Sequence, residues 1–142
     1  MLRRRSNLDA ARDIERVDRA VDAFESGSAG AQFLDDLSDL GLAGQRRFRE
    51  RWSKLAAEQR RTLAERLQQD AEENVAHDFE RLMIVVLDDA DPDLRGMAID
   101  GLWESRNPGL PMLITERVES EAHPRVRFGM TRLLGQYAQR FQ

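Results

Sequence analysis

The chain contains no cysteine, which removes disulfide staples, thiolate zinc sites, iron–sulfur clusters and cysteine nucleophiles from the readings it can support. Only one of its 22 basic residues, Lys54, is lysine, an arginine bias that reads as codon usage in a GC-rich bacterial genome rather than as function. The two histidines, His77 and His123, are 46 residues apart and form no H-x-x-x-H pair, so no metal is expected. His77 reads as a helix-surface residue and His123 as a loop cap. No G-x-S-x-G or P-loop occurs, and the glycines of S-G-S-A-G (Ser26 to Gly30) follow no strand, so neither a nucleophile elbow nor a phosphate cradle is expected. The longest apolar run, Leu82 to Leu87, falls far short of the roughly 20 residues a spanning helix needs. The start, M-L-R-R-R-S-N-L-D-A-A-R-D, has basic residues but no apolar segment behind them, and Asp9, Asp13 and Glu15 argue against a transit peptide. These absences predict a soluble, cytoplasmic protein that is not an enzyme and holds no cofactor.

What is present is helical. The 142 residues, 41 % hydrophobic and 34 % charged with a net charge of -4, have length for one domain or for four to five short helical repeats. Ile14, Val17, Val21 and Phe24 step by three, four and three, one stripe of a helix from Leu8 to Phe24 that Ser26-Gly27-Ser28 ends. Phe33, Leu34, Leu37 and Leu40 predict a second, shorter helix, with Gly41 placed to turn left-handed after it. A third is predicted over about Ala43 to Trp52 on Phe48 and Trp52, and a fourth over about Ala57 to Asp70 on Leu63, Ala64 and Leu67. The fifth, about Val75 to Leu87, turns Phe79, Leu82, Met83 and Val86 inward. A buried strand at Leu82 is rejected because no second strand exists to satisfy its backbone. Residues 1–7 read as a flexible N-terminus and 8–142 as a single all-α domain.

Two segments align at an offset of 32 residues: D-D-A-D-P-D-L-R-G-M-A-I-D-G-L-W from Asp88 and S-E-A-H-P-R-V-R-F-G-M-T-R-L-L-G from Ser120. Pro92 matches Pro124, Leu94 matches Val126, Arg95 matches Arg127 and Leu102 matches Leu134. Asp91 is a strong N-cap, and Pro92 at the first helical position loses nothing by lacking an N–H. Leu94, Ala98 and Leu102 form one inward stripe, while Gly96 and Gly101 are read as permitting close approach of a neighbouring helix. A last helix is predicted over about Pro124 to Tyr137. Each arginine has an acid six positions earlier, Asp89 before Arg95 and Glu121 before Arg127.

These residues resemble the HEAT-repeat family, in the short form first associated with phycobilisome lyases. The resemblance covers about residues 75–138 and leaves 8–70 as degenerate repeats or an N-terminal helical cap. It implies an α-solenoid, a right-handed stack of antiparallel helix pairs. It also implies a ladder between neighbouring repeats, to which Asp89, Asp91, Pro92, Arg95, Glu121, Pro124 and Arg127 belong. A protein–protein interaction scaffold is the implied function. A bilin lyase-type subunit and a nucleic-acid-binding or base-excising HEAT-like protein are the alternatives, and no residue set here maps onto either.

Asp88, Asp89, Asp91 and Asp93 invite a calcium reading, but Leu94 stands where the loop needs Gly and Asp100 where it needs Glu, so capping is preferred. From Gln45 to Arg66 eight basic residues face three acids, and from Leu67 to Asp100 ten acids face two arginines. Arg47 and Arg51, beside Phe48 and Trp52, would suit a phosphate backbone; the favoured reading is that Arg46–Glu50, Glu58–Arg61 and Arg61–Glu65 are local helix pairs and that the basic helices pack near acidic ones. Together with Trp103, read as a core edge or a rim contact, they form the candidate partner surface. A protein partner is expected and nucleic acid is not. The last helix also offers Phe128, Leu133, Leu134, Tyr137 and Phe141, which suggests a truncated chain, a homodimer through the C-terminal end, or an end sealed by Phe141.

Overall fold

The computed structural model describes residues 2–140, with side chains from residue 7 onward. Eight α-helices and no strand occur among the described residues: α1 (Leu2–Glu25), α2 (Ala31–Leu37), α3 (Leu42–Lys54), α4 (Ala57–Glu73), α5 (Glu80–Val86), α6 (Pro92–Gly101), α7 (Leu110–Ser120) and α8 (Pro124–Arg140). The all-α expectation holds. No described helix is long and apolar enough to cross a membrane. After Val85 the chain divides into two compact units.

In the first unit α1 packs against α2 and α3. Val17, Ala20 and Val21 are buried, and the α1 end is closed by Phe24 stacked on Phe33 at 6.3 Å. Ile14, expected on the same stripe, is 38 % exposed. The neighbouring turn of α1 meets backbone there: Asp13 Oδ2 accepts the Gly41 N–H at 2.7 Å. A Cβ on Gly44 would lie 3.2 Å from Asp13 Cβ of α1 and 3.0 Å from Leu40 Cβ, a fit tight enough that any larger residue must push a neighbour aside. The expected close approach at Gly96 is absent, since a Cβ there meets nothing within 4 Å.

The turn after α2 also differs from expectation. Gly41 is the extended N-cap of α3, at φ -84°, and the left-handed residue is Asp39 at φ 55°. Aspartate tolerates this region better than most side chains, and the Asp39 N–H is held by the Asp78 carbonyl at 2.8 Å. Arg16 finishes α2 by donating to the carbonyls of Asp35 and Ser38, at 2.9 and 2.6 Å. The fifth helix begins at Glu80 rather than near Val75, which is 98 % exposed. Asn74 ends α4 and its Oδ1 accepts the Ala76 N–H, so the chain runs irregularly to Phe79. Phe79, Leu82, Met83 and Val86 are nonetheless all buried, as the spacing predicts.

In the second unit α8 packs against both α6 and α7. Leu94, Ala98 and Leu102 are buried as one stripe, joined by Ile99, Leu110, Ile114, Val126, Met130 and Leu133. Leu133 therefore belongs to the core and not to the outer face, while Phe128 is 65 % exposed. Phe141 lies outside the described residues. The α8 end is tied down by Tyr137 Oη donating to the Asn107 carbonyl at 3.0 Å, and by Arg140 donating to the Ser105 and Trp103 carbonyls at 3.0 and 2.9 Å.

Candidate functional site

The segments before α6 and α8 have one local design. Asp91 caps α6, its side chain accepting the Asp93 N–H at 2.9 Å, with Pro92 in the first turn. Two residues earlier, Asp89 Oδ1 accepts the Asp91 N–H at 2.9 Å. At the equivalent place before α8, Glu121 Oε1 accepts the His123 N–H at 3.0 Å, and Pro124 opens the helix.

Arg95 connects the two. Its Nε donates to Glu121 Oε2 at 2.8 Å and its terminal nitrogen to Oε1 at 2.7 Å, a bidentate fork on a carboxylate 26 positions away. The same guanidinium donates to the Asp89 and Ala90 carbonyls at 2.9 and 3.0 Å. The side chains of Arg95 and Glu121 are only 18 % and 5 % exposed. Arg95 reaches Asp89 through its backbone, and the carboxylate it grips is that of the next segment. The guanidinium holds the Glu121 carboxyl below its usual range, reinforced by the His123 N–H. Arg117 Nε binds Asp88 at 2.6 Å, a second arginine–carboxylate contact beside the first. Arg127 lies at the position equivalent to Arg95 but is exposed, and donates to the Val118 carbonyl at 3.4 Å.

Arg47 and Arg51 lie together on α3, and α1 supplies their counterions. Arg47 holds both oxygens of Asp18, at 2.7 and 3.2 Å, and reaches Glu50 at 3.0 Å. Arg51 binds Asp18 at 2.9 Å, Asp22 at 2.6 Å and Glu25 at 3.2 Å. Hydrogen bonding by Arg47 holds Asp18 below the ordinary aspartate range, and Arg51 is raised because three carboxylate hydrogen bonds outweigh its desolvation. This basic surface is thus largely compensated inside the first unit. Trp103 is half-buried just past α6, and Arg132 of α8 lies over its ring at 5.6 Å and over Phe128 at 5.9 Å.

One arrangement was hidden in the sequence. His77, expected on a helix surface, sits in the loop after α4 with its side chain 12 % exposed. Its Nδ1 meets Asp70 Oδ2 at 2.5 Å and its Nε2 meets Asp35 Oδ1 at 2.6 Å. A neutral imidazole has one N–H and can donate to only one of these carboxylates; the imidazolium serves both. The two carboxylates, Asp70 first, raise the His77 pKa. No group of three or more His, Asp or Glu side chains among the described residues is arranged to hold a metal ion.

No protein-family model, no curated protein and no solved structure matches the chain.

Proposed function

We propose that the chain is a HEAT-like repeat protein that acts as a binding scaffold for another protein, in the cytoplasm and without catalysis. In this reading α6 and α8 are equivalent second helices of adjacent repeats, α7 pairs with α8, and residues 8–70 are degenerate repeats or an N-terminal helical cap. The observation that carries it is the Arg95–Glu121 fork, since an arginine of one copy gripping the acidic loop residue of the next is the contact a repeat ladder requires. The side-by-side packing of α6 with α8, and of α7 with α8, supports the same assignment. A stack of this kind exposes helix faces and loops rather than an enclosed site, which suits it to binding.

Nucleic acid is the weaker reading. To engage phosphates, Arg47 and Arg51 would have to give up Asp18, Asp22 and Glu25, and the chain as a whole is acidic. The test is affinity capture by the full chain from its native lysate, with and without nuclease, followed by reciprocal capture. A specific protein recovered in both directions and insensitive to nuclease is expected. Recovery of nucleic acid alone, or a visible absorbance shift on adding a bilin, would overturn the scaffold reading.

A further inference from the structure

The two repeat-like helices of the second unit carry opposite charge at equivalent exposed positions. Along α6 the outward row is Asp93, Met97 and Asp100; the 32-residue offset puts Arg125 and Arg132 of α8 opposite the two acids in the alignment. Residues about 100° apart place Phe128 between these arginines on the same face, and it is the most exposed aromatic side chain there, at 65 %. α8 contains no acidic residue, and its exposed arginines, Arg125, Arg127 and Arg132, have no carboxylate at ion-pair distance among the described residues. Arg125 stands in the first turn, where the helix dipole disfavours a cation. Arg132 is held in place by lying over Trp103 and Phe128.

An acidic row and a basic row side by side on parallel helices form a self-complementary face. We propose that this face pairs with a second copy of the chain about a two-fold axis, α6 of each lying antiparallel to α8 of the other. In that register Asp93 meets Arg132 of the second copy, Asp100 meets its Arg125, and Phe128 packs on its Met97. Gly96 beside Met97 leaves the approach clear, since nothing lies within 4 Å of where its Cβ would be. A two-fold interface is isologous, so each contact occurs twice. Helices of ten and 17 residues offer a small face joined largely by ion pairs, which makes the dimer sensitive to salt. This inference is independent of the scaffold reading, because the dimer neither needs nor supplies an outside partner.

The test is light scattering and sedimentation of the full chain over a concentration series at low and high salt. The wild type is expected to pass from monomer to dimer, and Phe128→Ser to weaken the dimer at least tenfold. A variant with Arg125→Asp and Arg132→Asp has two acidic rows, and one with Asp93→Arg and Asp100→Arg has two basic rows. Each alone is expected to be monomeric, and their mixture to form a one-to-one complex. Thermal melts of each variant establish that it is folded. A wild type that stays monomeric throughout, double variants that dimerise like the wild type, or folded variants that ignore each other when mixed would overturn the proposal.

Discussion

Arg95 and Glu121 meet as a two-pronged fork at 2.8 and 2.7 Å while Glu121 also accepts the His123 N–H at 3.0 Å. One carboxylate therefore fixes the start of α8 and anchors the arginine of α6. Removing either partner leaves a mostly buried charge without its counterion, which is destabilising.

Acid should weaken both units through identified groups. Asp36 is buried, bound by Arg19 at 2.9 and 2.7 Å and by Gln32 at 3.2 Å, and Arg19 is the main cause of its depressed pKa. Arg95 depresses Glu121 in the same way. A carboxyl lowered on folding adds stability that is complete above its unfolded pKa, about 4, and is lost as pH falls through the folded value. Urea unfolding at pH 7 and at progressively lower pH should show a decline below pH about 4, shallower in Asp36→Asn and Glu121→Gln. An unchanged slope in both variants would exclude these two groups as its source.

His77 acts in the opposite direction. Its pKa is raised by Asp70 and Asp35, so its contribution is complete below the unfolded value of about 6.5 and disappears as pH rises through the folded one. Around the ring, Asp35 comes from α2, Asp70 from α4, and the Phe79 ring lies tilted against it at 5.5 Å. His77→Gln should lower the melting temperature at pH 6 and converge on the wild type at high alkaline pH. An NMR titration giving His77 an ordinary imidazole pKa would contradict the clasp.

Gly44→Ala tests the α1–α3 contact. Alanine usually favours a helix interior by about 1 kcal/mol, but the new methyl would meet Leu40 Cβ at 3.0 Å and Asp13 Cβ at 3.2 Å. Both atoms are rigidly attached to backbone, so the strain should win, with a net loss of about 1–2 kcal/mol by denaturant unfolding. Gly96→Ala, at an open helical position, should instead be neutral or stabilising.

The starts of α6 and α8 were legible because Pro92 and Pro124 announce a helix locally and repeat at a fixed offset. The buried stripes Val17–Val21, Leu63–Leu67 and Leu94–Leu102 were legible from period alone. α7 lies where the spacing predicts no particular helix, since Pro108, Gly109 and Pro111 break the pattern; its support comes from Asn107 Oδ1, which takes the Gly109 N–H at 2.9 Å, and from Leu110 and Ile114, which are buried. Gly41 drew the left-handed turn on residue type, whereas the bond from Asp39 to Asp78, 39 positions away, decides it. The His77 clasp and the pairing of Arg47 and Arg51 with α1 depend on partners brought close only by folding, which no local pattern records.

The most direct measurement of the Arg95–Glu121 fork, on which the proposed repeat reading rests, is a double-mutant cycle on Arg95→Ala and Glu121→Ala, read by urea unfolding at pH 7. Each single change should cost about 2–4 kcal/mol, and the double change distinctly less than their sum, a coupling of about 1–3 kcal/mol. Additive losses would show that the two side chains do not stabilise one another and would contradict the repeat assignment at its foundation.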